Sequence, residues 1–317
     1  MIKDTYYSIF GSSGLVGCHL LNLLKDKKGV KVRAFYNTRK PLIKSRNISF
    51  KKLDILNAKS LTSYLKGQDY VINVSGIVCP TRKLISDPIN PVFENLNIFS
   101  KIIKSSYQAK VKKFLWLSST TGYPSRSDEL REDLMFKGNP PDFWYGLGWM
   151  IRYCESLCKY LNYLSQNKMK IIVLRPTMIY GDYYDFKKKH QHFFGDFIRQ
   201  IVQRKKLINI YGNGADKKNL IYAGDVAALI LEAMKKINTY EAINIRNIKS
   251  YSIIEYLEIM MKIENYFPKV VCKNLNEKEF EEKKISLQKA HKIFDMKQLV
   301  NIIDGTKKTI DWFKSTH

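Results

Sequence analysis

Three glycines with GxxGxxG spacing, Gly11-Ser12-Ser13-Gly14-Leu15-Val16-Gly17, follow the first apolar run of the chain. Glycine permits a tight turn and close approach of another backbone, and the start of a following helix offers free N–H groups and a positive dipole end. That combination suits a pyrophosphate, so Gly11, Ser13, Gly14, Leu15, Val16 and Gly17 form a candidate dinucleotide cradle. A second cluster, Leu117-Ser118-Ser119-Thr120-Thr121-Gly122-Tyr123-Pro124, ends a strand pattern in four consecutive hydroxyls, and Tyr145 opens a long helical pattern beyond it. A hydroxyl at a strand end facing a phenol at a helix start can hold a carbonyl or alcohol oxygen. The phenol can then exchange a proton with that oxygen during hydride transfer.

Other residues fit the same chemistry. A dinucleotide site commonly places a carboxylate after the second strand, on the ribose hydroxyls. Here that stretch reads Tyr36-Asn37-Thr38-Arg39-Lys40, two cations and no acid. Arg39 and Lys40 would pair with a 2′-phosphate, which favours NADP(H) and leaves NAD(H) as the alternative; in so basic a chain they could also be solvated loop charges. Asp54 and Ile55 close the third strand, where a carboxylate could accept a hydrogen bond from the adenine amino group. Val74, Ser75 and Gly76 would pass beneath the cofactor, small enough for close backbone approach.

The elements that must position these residues alternate. Strand patterns at Tyr6–Phe10, Val30–Tyr36, Ser49–Leu53, Tyr70–Val74, Lys113–Leu117, Ile171–Arg175 and Ala242–Arg246 are separated by helical patterns. The helices are expected at His19 to about Lys27, Pro91–Gln108, Tyr145–Asn167 and Asp225–Lys236. Such alternation predicts an α/β fold: a Rossmann-type doubly wound parallel sheet with its ligand at the strand C-termini. The expected division is a dinucleotide-binding domain from 1–180 plus 223–246 and a smaller, mixed C-terminal substrate-binding lobe from 181–222 plus 247–317.

In 317 residues, 54 Lys and Arg against 29 Asp and Glu give a net charge of +25, and 45% of the chain is hydrophobic, which excludes a disordered chain. The charge points to an anionic partner, but the lysines are scattered alongside abundant Ile, Asn and Tyr, and only Lys187-Lys188-Lys189 is a tight run. A phosphorylated small molecule is therefore expected rather than nucleic acid. Five cysteines without zinc spacing read as reduced buried thiols, with no metal site. No apolar run is long enough to span a bilayer and no signal-peptide pattern opens the chain, so no membrane partner and a cytoplasmic location are expected.

The chain resembles the extended short-chain dehydrogenases, the NAD(P)-dependent nucleotide-sugar epimerase, dehydratase and reductase family. GSSGLVG is similar to its glycine motif, SSTTGYP to its catalytic-serine strand, LRPTMIYG (Leu174–Gly181) to its RPxxxYG element, and YGNGADKKNLIYAGDVA (Tyr211–Ala227) to its sugar-diphosphate segment. Tyr180–Gln200 and Glu94–Ile98 look most like the GDP-fucose-synthase branch, which reduces and epimerises 4-keto sugars. The resemblance implies a homodimer acting on a nucleotide sugar, with a GDP-sugar favoured. It implies catalytic roles for Ser119, Tyr145 and His192. It sets Asn95, Pro176 and Met178 beside the cofactor, and Thr120, Met178, His192, Arg199 and Lys218 on the substrate.

Three positions depart from that pattern. Thr121 stands where the branch has a cysteine base; a hydroxyl is a far poorer base than a thiol, which favours plain carbonyl reduction over epimerisation. Met178 replaces an asparagine, and Trp149 replaces the lysine of the YxxxK motif, which lowers the tyrosine pKa through its charge. Arg152, three residues further along the helix, could supply a guanidinium nearby or be a surface charge. An epimerase or dehydratase with tightly held NAD(P), and a binder without turnover, remain open alternatives.

Overall fold

The computed structural model describes residues 4–41, 43–78, 81–125, 128–184, 186, 192–273 and 283–316. The run Lys187–Lys189 and Cys79 lie outside them. The strands are β1 Thr5–Phe10, β2 Val30–Tyr36, β3 Ile48–Lys52, β4 Tyr70–Asn73, β5 Lys113–Leu117, β6 Lys170–Pro176, β7 Met178–Tyr180, β8 Leu207–Tyr211, β9 Lys217–Lys218, β10 Leu220–Tyr222, β11 Glu241–Ile245, β12 Tyr251–Ser252 and β13 Lys269–Lys273. The α-helices are α1 Leu15–Leu24, α2 Thr62–Leu65, α3 Thr81–Ser86, α4 Asn90–Gln108, α5 Tyr145–Leu164, α6 Phe193–Val202, α7 Ala223–Lys236, α8 Ile253–Glu264, α9 Gln288–Ile293 and α10 Ile302–Thr316.

Seven strands form one sheet in the order β11-β6-β5-β4-β1-β2-β3, and every pairing in it is parallel. Both faces are covered, and the side chains sort with the two-residue period of a strand. Ile9, Ile72, Leu115, Ile172 and Leu174 pack with Leu20 and Leu21 of α1 and Val226 and Ile230 of α7. Their neighbours Phe10, Val71, Phe114, Ile171 and Val173 pack with Phe99 and Ile102 of α4 and Cys154 and Cys158 of α5. Strand order reverses between β1 and β4, so the cleft of this doubly wound sheet opens beyond their C-terminal ends.

A separate apolar cluster gathers α6, β8, β10, α8 and α10 around Phe194, Ile198, Ile208, Leu220, Tyr256, Leu257, Ile310 and Phe313. It is edged by three two-stranded pairings, β7 with β10, β9 with β12 and β8 with β13. The segment of α9 returns to the sheet, where Leu287, Ala290, Phe294 and Met296 join the α1/α7 layer.

Helix α1 begins at Leu15 rather than at the expected His19. Gly17 lies inside its first turn, since a Cβ there would fall 2.1 Å from the Gly11 carbonyl oxygen. The third glycine is thus a packing residue of the helix. Cys18, Cys154 and Cys158 are buried free thiols, but Cys272 is exposed on β13, a departure from the buried-thiol expectation. Among the described residues no helix is long and apolar enough to cross a membrane, and no His/Cys/Asp/Glu group has the makings of a metal site.

Candidate functional site

The turn after β1 is built to be approached. Gly11 has φ +81°, and a Cβ on it would lie 2.7 Å from both the Val74 carbonyl oxygen and the Ser75 nitrogen. The exits of β1 and β4 therefore touch backbone to backbone. Ser12 is pinned away from the cleft, its N–H and Oγ both donating to the Phe35 carbonyl, at 3.2 and 2.7 Å. Gly14 caps α1 in an extended conformation, with no side-chain cap and no acidic residue in the first turn. The N–H groups that open α1 at Leu15 and Val16 are thereby left for an anion.

Around this turn, Arg39 Nη2 donates to the Ser13 carbonyl at 3.0 Å, which brings a guanidinium from the loop after β2 onto the glycine turn. Lys40 lies 5.3 Å from the centre of the Phe50 ring. Asp54 has both oxygens engaged locally, by the Leu56 N–H at 3.0 Å and the Asn57 amide at 2.8 Å, while Ile55 packs on the α4/α5 layer. The loop after β4 is braced twice. Ser75 donates through N–H and Oγ to Asn73 Oδ1, and Asn95 of α4 accepts from the Ile77 N–H at 2.7 Å and donates to the Ile77 and Pro91 carbonyls. The Asn95 amide thus clamps the loop, and Gly76 fits over it because a Cβ would lie 3.2 Å from Asn95 Oδ1.

Beyond β5, Ser119 caps a short 3₁₀ turn, Thr120–Gly122: its Oγ accepts from the Thr121 N–H at 3.1 Å and lies 2.9 Å from Thr121 Oγ1. Thr120 Oγ1 donates to the Pro176 carbonyl at the end of β6. The start of α5 packs on this turn through Gly148, whose missing Cβ would stand 2.5 Å from Pro140 and 3.4 Å from the Thr121 carbonyl oxygen. Tyr145 at the head of that helix is 48% exposed, so its phenol is open to a ligand. The Trp149 ring centre lies 6.2 Å from that of Tyr145, and Arg152 sits behind it, its guanidinium carbon 4.8 Å from the indole centre.

Of the two expectations for Arg152, a guanidinium near the site or a surface charge, the surface charge is not met. Arg152 is 1% exposed; Nε donates to the Gly122 carbonyl at 2.8 Å and Nη1 to the Gly138 carbonyl at 2.6 Å. It reaches the site from behind, through the backbone of the hydroxyl turn.

Beneath the turn runs a buried polar chain that the sequence did not announce. Glu155 of α5 is gripped by Arg175 of β6 (Nη2 to Oε2 2.6 Å) and accepts from Ser118 Oγ at 2.8 Å. Arg175 Nη1 donates to the Tyr123 hydroxyl at 2.7 Å, and that hydroxyl donates to Asn244 Oδ1 at 2.8 Å. Burial pulls the Arg175 guanidinium down, but the Glu155 carboxylate more than offsets it, so the pKa lies above its usual value. The available signals were Arg175 within LRPTMIYG and Tyr123 within the hydroxyl cluster.

The remaining candidates lie on the elements of the smaller cluster. Met178 begins β7, and Thr177 before it bonds Asn219, which brings the chain at Lys218 beside the exit of β6. Lys218 Nζ lies 3.6 Å from Asp216, and Arg199 is paired with Asp196 on its own helix. His192 caps α6, and burial lowers its pKa, which keeps the ring neutral near neutral pH. Direct contacts join Gly11, Val74, Ser75, Ser13 and Arg39 at the turn after β1, and Ser119, Thr120, Thr121 and Pro176 at the ends of β5 and β6. His192 and Arg199 belong to a different helix, α6.

The chain is similar to known proteins in sequence and in fold. A GDP-L-colitose synthase of Yersinia pseudotuberculosis is 26% identical over 81% of this chain and 81% of its own. A GDP-L-fucose synthase of Azorhizobium caulinodans is 23% identical over 67% of this chain and 70% of its own. The crystal structure of UDP-glucuronic acid 4-epimerase from Bacillus cereus, in complex with UDP-glucuronic acid and NAD, superposes with a TM-score of 0.85. At 21% identity it covers 99% of this chain and 100% of its own, and so shows the same fold. Residues 7–245, from β1 to the last strand of the seven-stranded sheet, match the NAD dependent epimerase/dehydratase family, and the chain belongs to that family of extended short-chain dehydrogenases.

Proposed function

We propose that the protein is an NADP(H)-dependent oxidoreductase that reduces a keto group, at C4, on a nucleotide-activated sugar, with a GDP-sugar favoured. The observation that carries the reading is the open Tyr145 phenol at the head of a helix packed on the turn that carries the Ser119–Thr121 hydroxyl pair, two strands along the sheet from the glycine cradle. When bound, a reduced nicotinamide would supply the hydride. Gly11, Ser13, Gly14, Leu15, Val16, Val74, Ser75 and Gly76 would hold the dinucleotide, with Asp54 and Ile55 toward its adenine, while Gly17 lets α1 pack on the turn. Arg39 and Lys40 supply positive charge for a 2′-phosphate. Ser119 holds the substrate oxygen and Tyr145 donates the proton to it. Lys218 and Arg199 would grip the diphosphate.

A hydroxyl at Thr121, a far poorer base than a thiol, argues against abstraction of carbon-bound protons, which is why reduction is preferred to epimerisation. The deciding measurement is NADPH absorbance during incubation with GDP- and UDP-linked 4-keto sugars. Stoichiometric loss of NADPH supports reduction. Substrate turnover without such loss means an epimerase or dehydratase with retained NAD, in line with the family's name, and cofactor uptake with no turnover of either kind means a binder.

The proposed division into a cofactor-binding part and a substrate lobe is supported by the separate apolar cluster of α6, α8 and α10. The active form is proposed to be a homodimer. Phe93 on α4 and Tyr153, Tyr160 and Tyr163 on α5 are exposed and offer an aromatic surface to a second copy, so sedimentation should give twice the 37.1 kDa chain mass.

A further inference from the structure

Lys283 follows the C-terminal lobe back to the sheet, and its neighbours fix where it stands. Leu130 bonds on both sides of Ile285, its N–H to the Lys284 carbonyl at 2.7 Å and its carbonyl to the Ser286 N–H at 3.1 Å. Ile285 packs with Tyr123, Leu130, Leu134 and Met135 in a small cluster under the hydroxyl turn. From there Lys283 Nζ reaches the Tyr123 carbonyl at 2.9 Å and the Thr120 and Thr121 carbonyls at 3.4 Å each. The one carbonyl it does not reach in this turn, that of Gly122, is taken by Arg152 Nε. Two cations therefore gather four consecutive carbonyls, Thr120 to Tyr123.

We propose that Lys283 and Arg152 act together as positioning residues for the hydroxyl turn: they hold the carbonyls of Thr120–Tyr123 from behind, fix the Ser119–Thr121 pair, and set positive charge beneath it. This rests on the assignment of that turn to the reaction given above. The chain has Trp149 where a motif lysine would bring a cation to the front of the site. Among the described residues, Arg152 and Lys283 bring positive charge to the turn through its carbonyls instead. Burial and the Arg152 guanidinium pull the Lys283 ammonium down to about 8, so it is largely charged at neutral pH. Charge-assisted bonds to carbonyls are stronger than neutral ones, and a flexible turn held by them is stiffened. A structural reason for the buried guanidinium follows as well. Arg152 could not be replaced by a shorter cation without releasing Gly122 or Gly138, since it serves both.

Amide hydrogen exchange on the peptides spanning 118–124 tests this in the full chain, with NADPH and NADH affinity read by fluorescence on the same samples. Lys283→Met should speed exchange in that segment by about tenfold or more, with smaller change in β1–β4, and Lys283→Arg should restore much of the protection. Cofactor affinity should change little, because the glycine cradle does not depend on this contact. In turnover assays the loss should fall on kcat rather than KM. Should Lys283→Met fail to fold, Lys283→Gln, which keeps a donor without the charge, should show the same faster exchange. Exchange over 118–124 identical to that of the parent protein in Met or Gln variants that fold overturns the proposal. A parent protein that binds neither dinucleotide sinks the functional assignment instead, and the exchange data still judge the clamp.

Discussion

Two phenols flank the hydroxyl turn, and their surroundings give them opposite capacities. Tyr123 is fully buried, its oxygen held between Arg175 and Asn244, and burial pushes its pKa up to about 12. Tyr145 is half open at the start of α5. Only Tyr145 can trade a proton with a ligand, so Tyr145→Phe should cut kcat by about 10²–10⁴-fold while the NADPH dissociation constant stays the same. Stopped-flow turnover and fluorescence titration read the two quantities separately, and an active Phe variant would reassign the acid. At the cofactor end, Arg39 is the cation that the structure places on the glycine turn. Arg39→Ala should weaken NADPH about tenfold or more and leave NADH nearly unchanged, since a charge-assisted bond to a 2′-phosphate exists only for the first. The turn at Gly11, the strand end before Ser119 and the helix start at Tyr145 were legible in the sequence because each is a local feature. The roles of Tyr123, Arg152 and Lys283 were not, because their partners lie far away in the chain. Tyr123 meets Arg175 across 52 residues and Asn244 across 121, and Lys283 meets Tyr123 across 160.

Helix α5 must present Tyr145 at one end and be anchored along its length. Its inner face does this with Cys154 and Cys158 against the sheet and with Glu155, whose carboxylate ties it to β6 through Arg175 and to the exit of β5 through Ser118. Both members of the ion pair are almost wholly buried, at 3% and 0% side-chain exposure. Removing one partner leaves the other charge stranded in the core, so Glu155→Gln should lower the unfolding free energy by about 3–5 kcal/mol in a urea titration. A loss below about 1 kcal/mol would mean that Arg175 finds another partner. The inner parallel strands could be read from the sequence because strands buried on both faces are short apolar runs, with turns between them. The start of α1 could not be read in the same way. Glycines five and two residues before His19 look like a turn, yet Gly14 is the cap and Gly17 sits inside the helix, where its lack of a Cβ serves packing on Gly11. The two-residue strands β9 and β12 have too few residues to show any period, and only the approach of distant segments makes them strands.

The helices flanking the seven-stranded sheet are joined to the elements around the separate apolar cluster by polar contacts as well. His19 of α1 lies 3.1 Å from Asp182, which also takes a hydrogen bond from Tyr222. Burial works to raise the Asp182 pKa, but the His19 and Tyr222 bonds prevail and hold it below the usual carboxylate value. Asp225, in the first turn of α7, accepts the Val300 N–H at 2.9 Å and so ties the chain entering α10 to a helix that packs on the sheet. Here burial wins: the Asp225 pKa is raised to about 6, with only partial relief from Val300, Lys308 and His19. In an unfolded chain the same carboxyl titrates near 4. Between about pH 4 and pH 6 the folded protein therefore binds the proton more tightly than the unfolded one, and this group's contribution to stability falls as pH rises through that window. Above pH 6 the folded protein carries the full cost of a buried carboxylate, on the order of 2 kcal/mol. Asp225→Asn keeps an acceptor for Val300 and has nothing to ionise. Its unfolding free energy should match that of the parent protein near pH 4 and exceed it by roughly 2 kcal/mol at pH 7. Parallel urea titrations at the two pH values check this, and a variant less stable at pH 7 would show that the ionised carboxylate holds these elements together through Lys308 and His19.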